Sequence, residues 1–197
     1  MSERATPVDI FVVAGPPGVG KSAFCDYAQE QGWGLHFQVS DLLRDIAAGD
    51  DRASLGELAD GMAAEYGPRI WCDLAMEYWL PWRREFNRVF VSGPRRVGEI
   101  IAALDMGADV GYIEADERVC AERMARRARA AALPFDWEGF LKRSEAERQG
   151  RTSGGEQGIF TDRIRTIPGV LCLTNDVELP LLGWLDRPRP ARSHFVL

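Results

Sequence analysis

Residues 15 to 22 read Gly15-Pro16-Pro17-Gly18-Val19-Gly20-Lys21-Ser22, a complete G-x-x-x-x-G-K-[ST] phosphate-binding loop. Before it stands Asp9-Ile10-Phe11-Val12-Val13-Ala14, short, apolar and β-rich, the composition of a buried parallel strand. Residues 23–31, after it, have a helix-compatible composition. Strand, glycine turn and helix together turn the pattern into a mechanism. The glycines let backbone N–H groups curl around phosphate oxygens, and the helix start adds partial positive charge. Lys21 is placed to reach the β- and γ-phosphates of a nucleoside triphosphate such as ATP, and Ser22 to set a hydroxyl on Mg²⁺. Lys21 and Lys142 are the chain's lysines among 24 basic side chains, so a lysine at this position stands out against an arginine background.

Further strands are predicted at 34–39, 88–92, 109–114 and 170–174, and helices at 21–31, 41–48, 54–86, 96–105, 116–131, 136–149 and 177–185. Strands alternating with helices imply an α/β fold, a three-layer α/β/α arrangement around a five-stranded parallel sheet. Ligands of such sheets sit beyond the carboxyl ends of the strands. The segments at those positions are the phosphate loop, Ser40-Asp41-Leu42-Leu43-Arg44, Ser92-Gly93-Pro94-Arg95-Arg96, and Thr174-Asn175-Asp176. Polar groups therefore converge on one edge.

A length of 197 residues suits one domain with a real core, and 46% hydrophobic with 27% charged residues is ordinary for a soluble globular chain. No apolar run is long enough to span a membrane, and the amino terminus lacks a signal-peptide apolar region. Cys25, Cys72, Cys120 and Cys172 are too dispersed for a zinc knuckle or a disulfide framework, and read as buried free thiols in a reducing cytoplasm. With His36 and His194 alone, a histidine metal site is not expected. A net charge of −6 disfavours broad nonspecific nucleic-acid binding. It leaves room for a local basic groove, with Arg83, Arg84 and Arg88 in one cluster and Arg123, Arg126, Arg127 and Arg129 in another. The alternative for each cluster is a solvated helix face.

The stretch 70–84 holds Trp71, Trp79 and Trp82. Trp71, Leu74, Met76 and Trp79 have the spacing of a buried helix face, and Trp82 beside Arg83 and Arg84 reads as exposed. The glycine-rich segment 150–158 is a loop candidate, and the tail 186–197 is expected to be irregular.

Several of these segments resemble the nucleoside-monophosphate-kinase superfamily. Ser40-Asp41-Leu42-Leu43-Arg44 resembles the adenylate-kinase segment whose arginine holds the acceptor phosphate, and Ser92-Gly93-Pro94-Arg95 the segment whose arginine also faces the acceptor. Glu122-Arg123-Met124-Ala125-Arg126-Arg127 resembles the Arg-x-x-x-Arg helix that enters the lid and contacts ATP, and Arg123 and Arg127 share a helix face. Over most of 9–185 the order of segments is similar to dephospho-CoA-kinase-like P-loop kinases of archaea and phages. The segment from Gly93 through Arg95 and Arg96 to Glu99-Ile100, the pair Arg143 and Glu147, and Asn175 carry that resemblance. It implies a helical acceptor-binding lobe at about 40–86 and a lid at about 128–160 within one kinase domain. Those relatives carry an Asp that organises Mg²⁺ through water where this chain has Ser92. Asp41 is then the candidate to supply the missing charge, or to act as general base toward an acceptor hydroxyl. The alternative is that Asp41 caps a helix beside Ser40.

The resemblance implies an ATP- and Mg²⁺-dependent phosphotransferase of the cytoplasm, with no membrane or obligate protein partner. In it Gly15 to Ser22 hold the donor, Ser22 the metal, and Arg44, Arg95 and Arg96 the acceptor, while Arg123 and Arg127 close over the transferring group. A nucleotide-type acceptor is expected, a (deoxy)nucleoside monophosphate or modified nucleotide. The competing acceptors are 5-hydroxymethyluracil in DNA, as in phage members of the group, and dephospho-CoA. A P-loop ATPase switch is disfavoured because no strand ends in the acidic pair such proteins use.

Overall fold

The computed structural model describes residues 8–47, 52–149 and 161–175. Five strands, β1 (Asp9–Ala14), β2 (Leu35–Gln38), β3 (Arg88–Ser92), β4 (Asp109–Glu114) and β5 (Val170–Thr174), form one parallel sheet in the order β2-β3-β1-β4-β5. Eight helices accompany them among the described residues: α1 (Lys21–Glu30), α2 (Val39–Ala47), α3 (Arg52–Tyr66), α4 (Ile70–Trp79), α5 (Val97–Asp105), α6 (Glu117–Ala130), α7 (Trp137–Arg148) and the single turn α8 (Thr161–Ile164). The fold is the α/β/α sandwich read from the sequence.

Both faces of the sheet are covered, which is why β1 is apolar without alternation. Ile10, Val12, Leu35, Phe37, Val89 and Val91 pack on one side against Trp71, Ala75 and Trp79 of α4 and Ile100 and Ala103 of α5. Phe11, Val13, Phe90 and Ile113 pack on the other against Phe24, Cys25 and Ala28 of α1, Cys120 and Ala121 of α6, and Phe140 of α7. Trp71 and Trp79 are thus core, each with its indole N–H spent, on Glu99 Oε1 (2.8 Å) and on the Phe86 carbonyl (2.6 Å). Trp82 is exposed, as its place beside two arginines suggests.

Four local expectations change. The predicted helix 54–86 divides at Gly67-Pro68-Arg69 into α3 and α4 and ends in a 3₁₀ turn, Leu80–Trp82, because Gly67 takes a left-handed φ of 85°. Helix α2 begins at Val39, directly off β2, so Ser40 and Asp41 lie inside its first turn and Asp41 is not a cap before it. The short α8, which no periodicity announced, precedes β5. Cys25, Cys72 and Cys120 are buried free thiols, but Cys172 is exposed on the edge strand β5. Burial pushes the Cys72 thiol up to about 12 and the Cys25 thiol higher still, so both are inert at neutral pH. The glycine-rich segment 150–158, the helix expected at 177–185 and the tail 186–197 lie outside the described residues. Among the described residues, no helix is long and apolar enough to cross a membrane.

Candidate active site

Strands β1 and β3 are neighbours, yet α1 leaves β1 onto one face of the sheet and α5 leaves β3 onto the other. Divergence of this kind opens a crevice at the carboxyl ends of the two strands. Residues 15–22 form one wall and residues 93–96 the other.

The wall at residues 15–22, expected from the sequence to be the donor wall, is shaped by backbone. Gly15 has φ 142°, and a Cβ there would lie 2.1 Å from the Ile113 carbonyl oxygen, so only glycine passes. At Gly18 the loop runs against α6, with the Cys120 carbonyl 2.6 Å from where a side chain would begin. Val19 is fully buried, and its carbonyl accepts a 2.7 Å bond from Asn175 Nδ2. Lys21 Nζ donates to the carbonyls of Gly15 and Pro16, both at 2.8 Å. Helix α1 starts at Gly20 without a side-chain cap and with no acidic residue in its first turn. The starts of α5, α6 and α7 are instead occupied by the carboxylates of Glu99, Asp116 and Asp136. The first N–H groups of α1 are thus left for an anion.

Two further groups belong to this wall. Arg123 lies one turn after Cys120 on α6, and its Nη1 is buried without a hydrogen-bond partner. Asn175 Oδ1 is buried without one too. A buried guanidinium nitrogen left unpaired is costly, and an anion bound beside the loop would relieve that cost. Arg127, four residues on, shares that face and is exposed. Pro17 faces α7 across a small cleft lined also by Phe140, Arg143, Ser144 and Glu147, so the helix read as a lid arm lies over the loop.

The wall at residues 93–96, expected from the sequence to be the acceptor wall, is shaped by side chains. Glu99, 5% exposed, is its hub: Oε2 accepts from the backbone N–H groups of Arg95 (2.8 Å) and Arg96 (3.0 Å), while Oε1 accepts from Trp71. It fixes the chain between β3 and α5 and ties it to α4. The arginines are engaged with carboxylates. Arg96 pairs with Asp60 of α3, Arg95 Nη1 lies 3.9 Å from Glu147 of α7, and Arg44 donates to Asp41 Oδ1 at 2.5 Å. The same Asp41 oxygen accepts from Gln38 Nε2. The Asp41 carboxylate, in the first turn of α2, is therefore already shared.

Glu99, Asp60 and Glu147 were given no individual role from the sequence: Asp60 and Glu147 act through partners distant along the chain, whereas Glu99, at the third position of α5, had a local capping signal. The polar line Asp26–His36–Ser92 on the α1 face was also missed, although His36 and Gln38 alternate with buried Leu35 and Phe37 along β2. The cluster Trp82, Arg83 and Arg84 falls elsewhere. It turns directly into the amino end of β3, through bonds from Glu85 and Phe86 to the Trp82 carbonyl. Along the strand, that is about 13 Å from Ser92.

Among the described residues, no three His, Cys, Asp or Glu side chains are grouped to hold a metal ion. Magnesium fits as a companion of phosphates, since it takes oxygen ligands and keeps several waters, and Ser22 offers the protein hydroxyl.

No known protein family matches this chain, and no curated protein is similar to it. Among solved structures, the protein TT1252 from Thermus thermophilus is similar in fold, with a TM-score of 0.54 and 16% identity, covering 87% of this chain and 91% of that one. A gluconokinase from Sinorhizobium meliloti 1021 aligns over 91% of this chain and 88% of its own at 19% identity, with a TM-score of 0.46. At these identities the likeness to the TT1252 protein shows the fold alone.

Proposed function

We propose that the chain is an ATP-dependent P-loop kinase that moves the γ-phosphate onto a nucleotide-type acceptor carrying its own phosphate. The observation that carries this reading is the charge inventory of the crevice. An uncapped helix start, Lys21 and the unpaired Nη1 of Arg123 stand on one wall, and Arg44, Arg95 and Arg96 on the other. Phosphoryl transfer asks a protein mainly to position two phosphate-bearing partners and offset their charge.

In this reading the backbone N–H groups of Gly18, Val19 and Gly20, on a turn shaped by Gly15, Pro16 and Pro17, cradle the donor, and Lys21 exchanges its carbonyl partners for phosphate oxygens. Arg123 and Arg127 meet the transferring group from α6. Arg44, Arg95 and Arg96 orient the acceptor phosphate, and Asp41 holds Arg44 until the ligand arrives; toward an acceptor that offers a hydroxyl instead, Asp41 is the general base. Magnesium would be held by Ser22 and the phosphates and would supply charge neutralisation for the transferring group.

The distance of the Trp82 cluster from the crevice favours a free nucleotide over a base in DNA. A strand gripped there would have to cross the whole sheet to reach Arg95. The test is a screen with γ-labelled ATP against nucleoside monophosphates, dephospho-CoA, hydroxymethylated DNA and gluconate. Label on one or more nucleoside monophosphates is expected. Label confined to gluconate would overturn the acceptor class and leave the donor assignment standing, whereas label confined to hydroxymethylated DNA would restore the strand-binding reading.

A further inference from the structure

Asp26 of α1, His36 of β2 and Ser92, the last residue of β3, form one hydrogen-bonded line on the α1 face of the sheet. His36 Nδ1 lies 2.7 Å from Asp26 Oδ1, and His36 Nε2 lies 2.6 Å from Ser92 Oγ. The imidazole is 6% exposed and Ser92 is 1% exposed, while Asp26 reaches solvent. Three polar groups placed where α1 meets the sheet are an expensive way to fill space, since apolar residues would pack there without desolvation cost.

The chemistry of the groups sets where the protons lie. An ionised carboxylate only accepts, so the bond to Asp26 requires the proton on Nδ1. A neutral ring then has a bare Nε2, which accepts the Ser92 hydroxyl proton. In that neutral form the one hydrogen of Ser92 is committed, and its oxygen can act toward any other group as an acceptor only. Its location gives that a use. Ser92 pairs with Val13, two residues before the phosphate loop, and Asp26 stands one helical turn beyond Ser22 on α1. In P-loop enzymes the end of a strand at this place supplies an acidic group toward the magnesium held by the loop Ser.

We propose that the Asp26–His36–Ser92 line makes Ser92 a neutral substitute for that carboxylate, a positioning residue that accepts a hydrogen bond from a water on the donor's metal ion. This rests on the kinase reading above. A near-buried hydroxyl reaches a small donor such as water, and its neutrality leaves the offsetting charge to the phosphates.

Two measurements test it. Long-range proton–nitrogen NMR correlation on ¹⁵N-labelled protein reads the His36 tautomer directly, and His36→Gln identifies its signals between the two histidines. A ring protonated on Nδ1 alone is expected; a proton on Nε2, in the neutral or charged ring, overturns the proposal. Asp26→Ala, at a surface position that spares the core, should release Nδ1 and shift the ring toward the other tautomer. Calorimetry of ATP binding at a series of magnesium concentrations gives the second readout. Ser92→Ala and His36→Gln should raise the magnesium needed for half-saturation about fivefold, the worth of one hydrogen bond, and leave metal-free ATP binding unchanged. Ser92→Asp should restore the wild-type dependence in the His36→Gln background, which a merely structural role would not do. Normal ATP binding with a magnesium dependence indifferent to these changes sinks this inference alone. A folded wild type that binds no ATP sinks the donor reading and this role together.

Discussion

The two walls of the crevice hold their cations in opposite ways. On the donor wall the geometry belongs to the backbone. Gly15 passes the Ile113 carbonyl, Lys21 bonds the first two carbonyls of the loop, and Arg123 keeps a buried nitrogen without a partner. On the acceptor wall the arginines are satisfied by the protein's own carboxylates, Arg96 by Asp60, Arg95 by Glu147 and Arg44 by Asp41. In the kinase reading the donor side is preformed and short of negative charge, whereas the acceptor side is internally neutralised, so an entering ligand would have to displace carboxylates.

The hardest way to break this contrast is at Lys21. Lys21→Ala removes the one ammonium of the donor wall and should lower kcat by on the order of 10³-fold, the scale seen when a preorganised charge partner of a transition state is lost. Circular dichroism should show an intact fold, because Lys21 Nζ bonds to the loop carbonyls of Gly15 and Pro16, at the end of the sheet and outside its core. A folded variant with full turnover would detach the loop from the chemistry.

Next in size is the hub of the opposite wall. Glu99→Ala leaves the Arg95 and Arg96 amides, the Trp71 indole and a guanidinium without their shared acceptor. A loss of about 3 kcal/mol in unfolding free energy is expected, as for other broken buried charge networks. Urea titration measures it. Glu99→Gln keeps one acceptor oxygen and should cost about half as much, by the usual worth of charged against neutral hydrogen bonds. Equal stability in all three proteins would mean that the acceptor wall is held by something other than side-chain bonding.

That distinction also decides what a single sequence can disclose. The donor wall was legible because it is local: eight consecutive residues fix a strand end, a turn and a helix start, and glycine at 15 and 20 has a steric reason at a motif position. The five strands were legible for the same cause, as short apolar runs bounded by turns. The acceptor wall is assembled from positions 41, 44, 60, 95, 96, 99 and 147, and no periodicity links Asp60 to Arg96 or Glu147 to Arg95. The dipeptide Gly67-Pro68 did announce the break between α3 and α4, but helical composition on both sides masked it. At Ser40-Asp41 a capping pair was a fair alternative until β2 was seen to run into α2 with no residue between. The polar line from Asp26 to Ser92 crosses three elements, and only the sheet order brings it together.

A smaller effect separates the walls kinetically. Arg95→Ala should raise the acceptor KM by about tenfold, in line with one lost charge-assisted hydrogen bond at 1.5–3 kcal/mol discounted for exposure. The Kd for ATP should stay unchanged in calorimetry. A selective loss of ATP affinity would move Arg95 to the donor wall and end the division of labour between the two.

The smallest change tests the neutralised state itself, and its sign is the informative part. Glu147 is more buried than Arg95 and stands 3.9 Å from it, a loose pair with the guanidinium partly in solvent. Such a pair is worth about 0–1 kcal/mol. Glu147→Gln withdraws the competing carboxylate and leaves the cation, so an incoming phosphate no longer has to displace it. The acceptor KM should therefore fall, by at most about fivefold, and the difference should shrink as salt is added, because screening already weakens an exposed pair. Removing a carboxylate from α7 would then improve binding, the opposite of what loss of a ligand contact produces. A rise in KM would instead make Glu147 part of the acceptor's own binding surface, and the acceptor wall would be neutralised by two carboxylates, Asp60 and Asp41, rather than three.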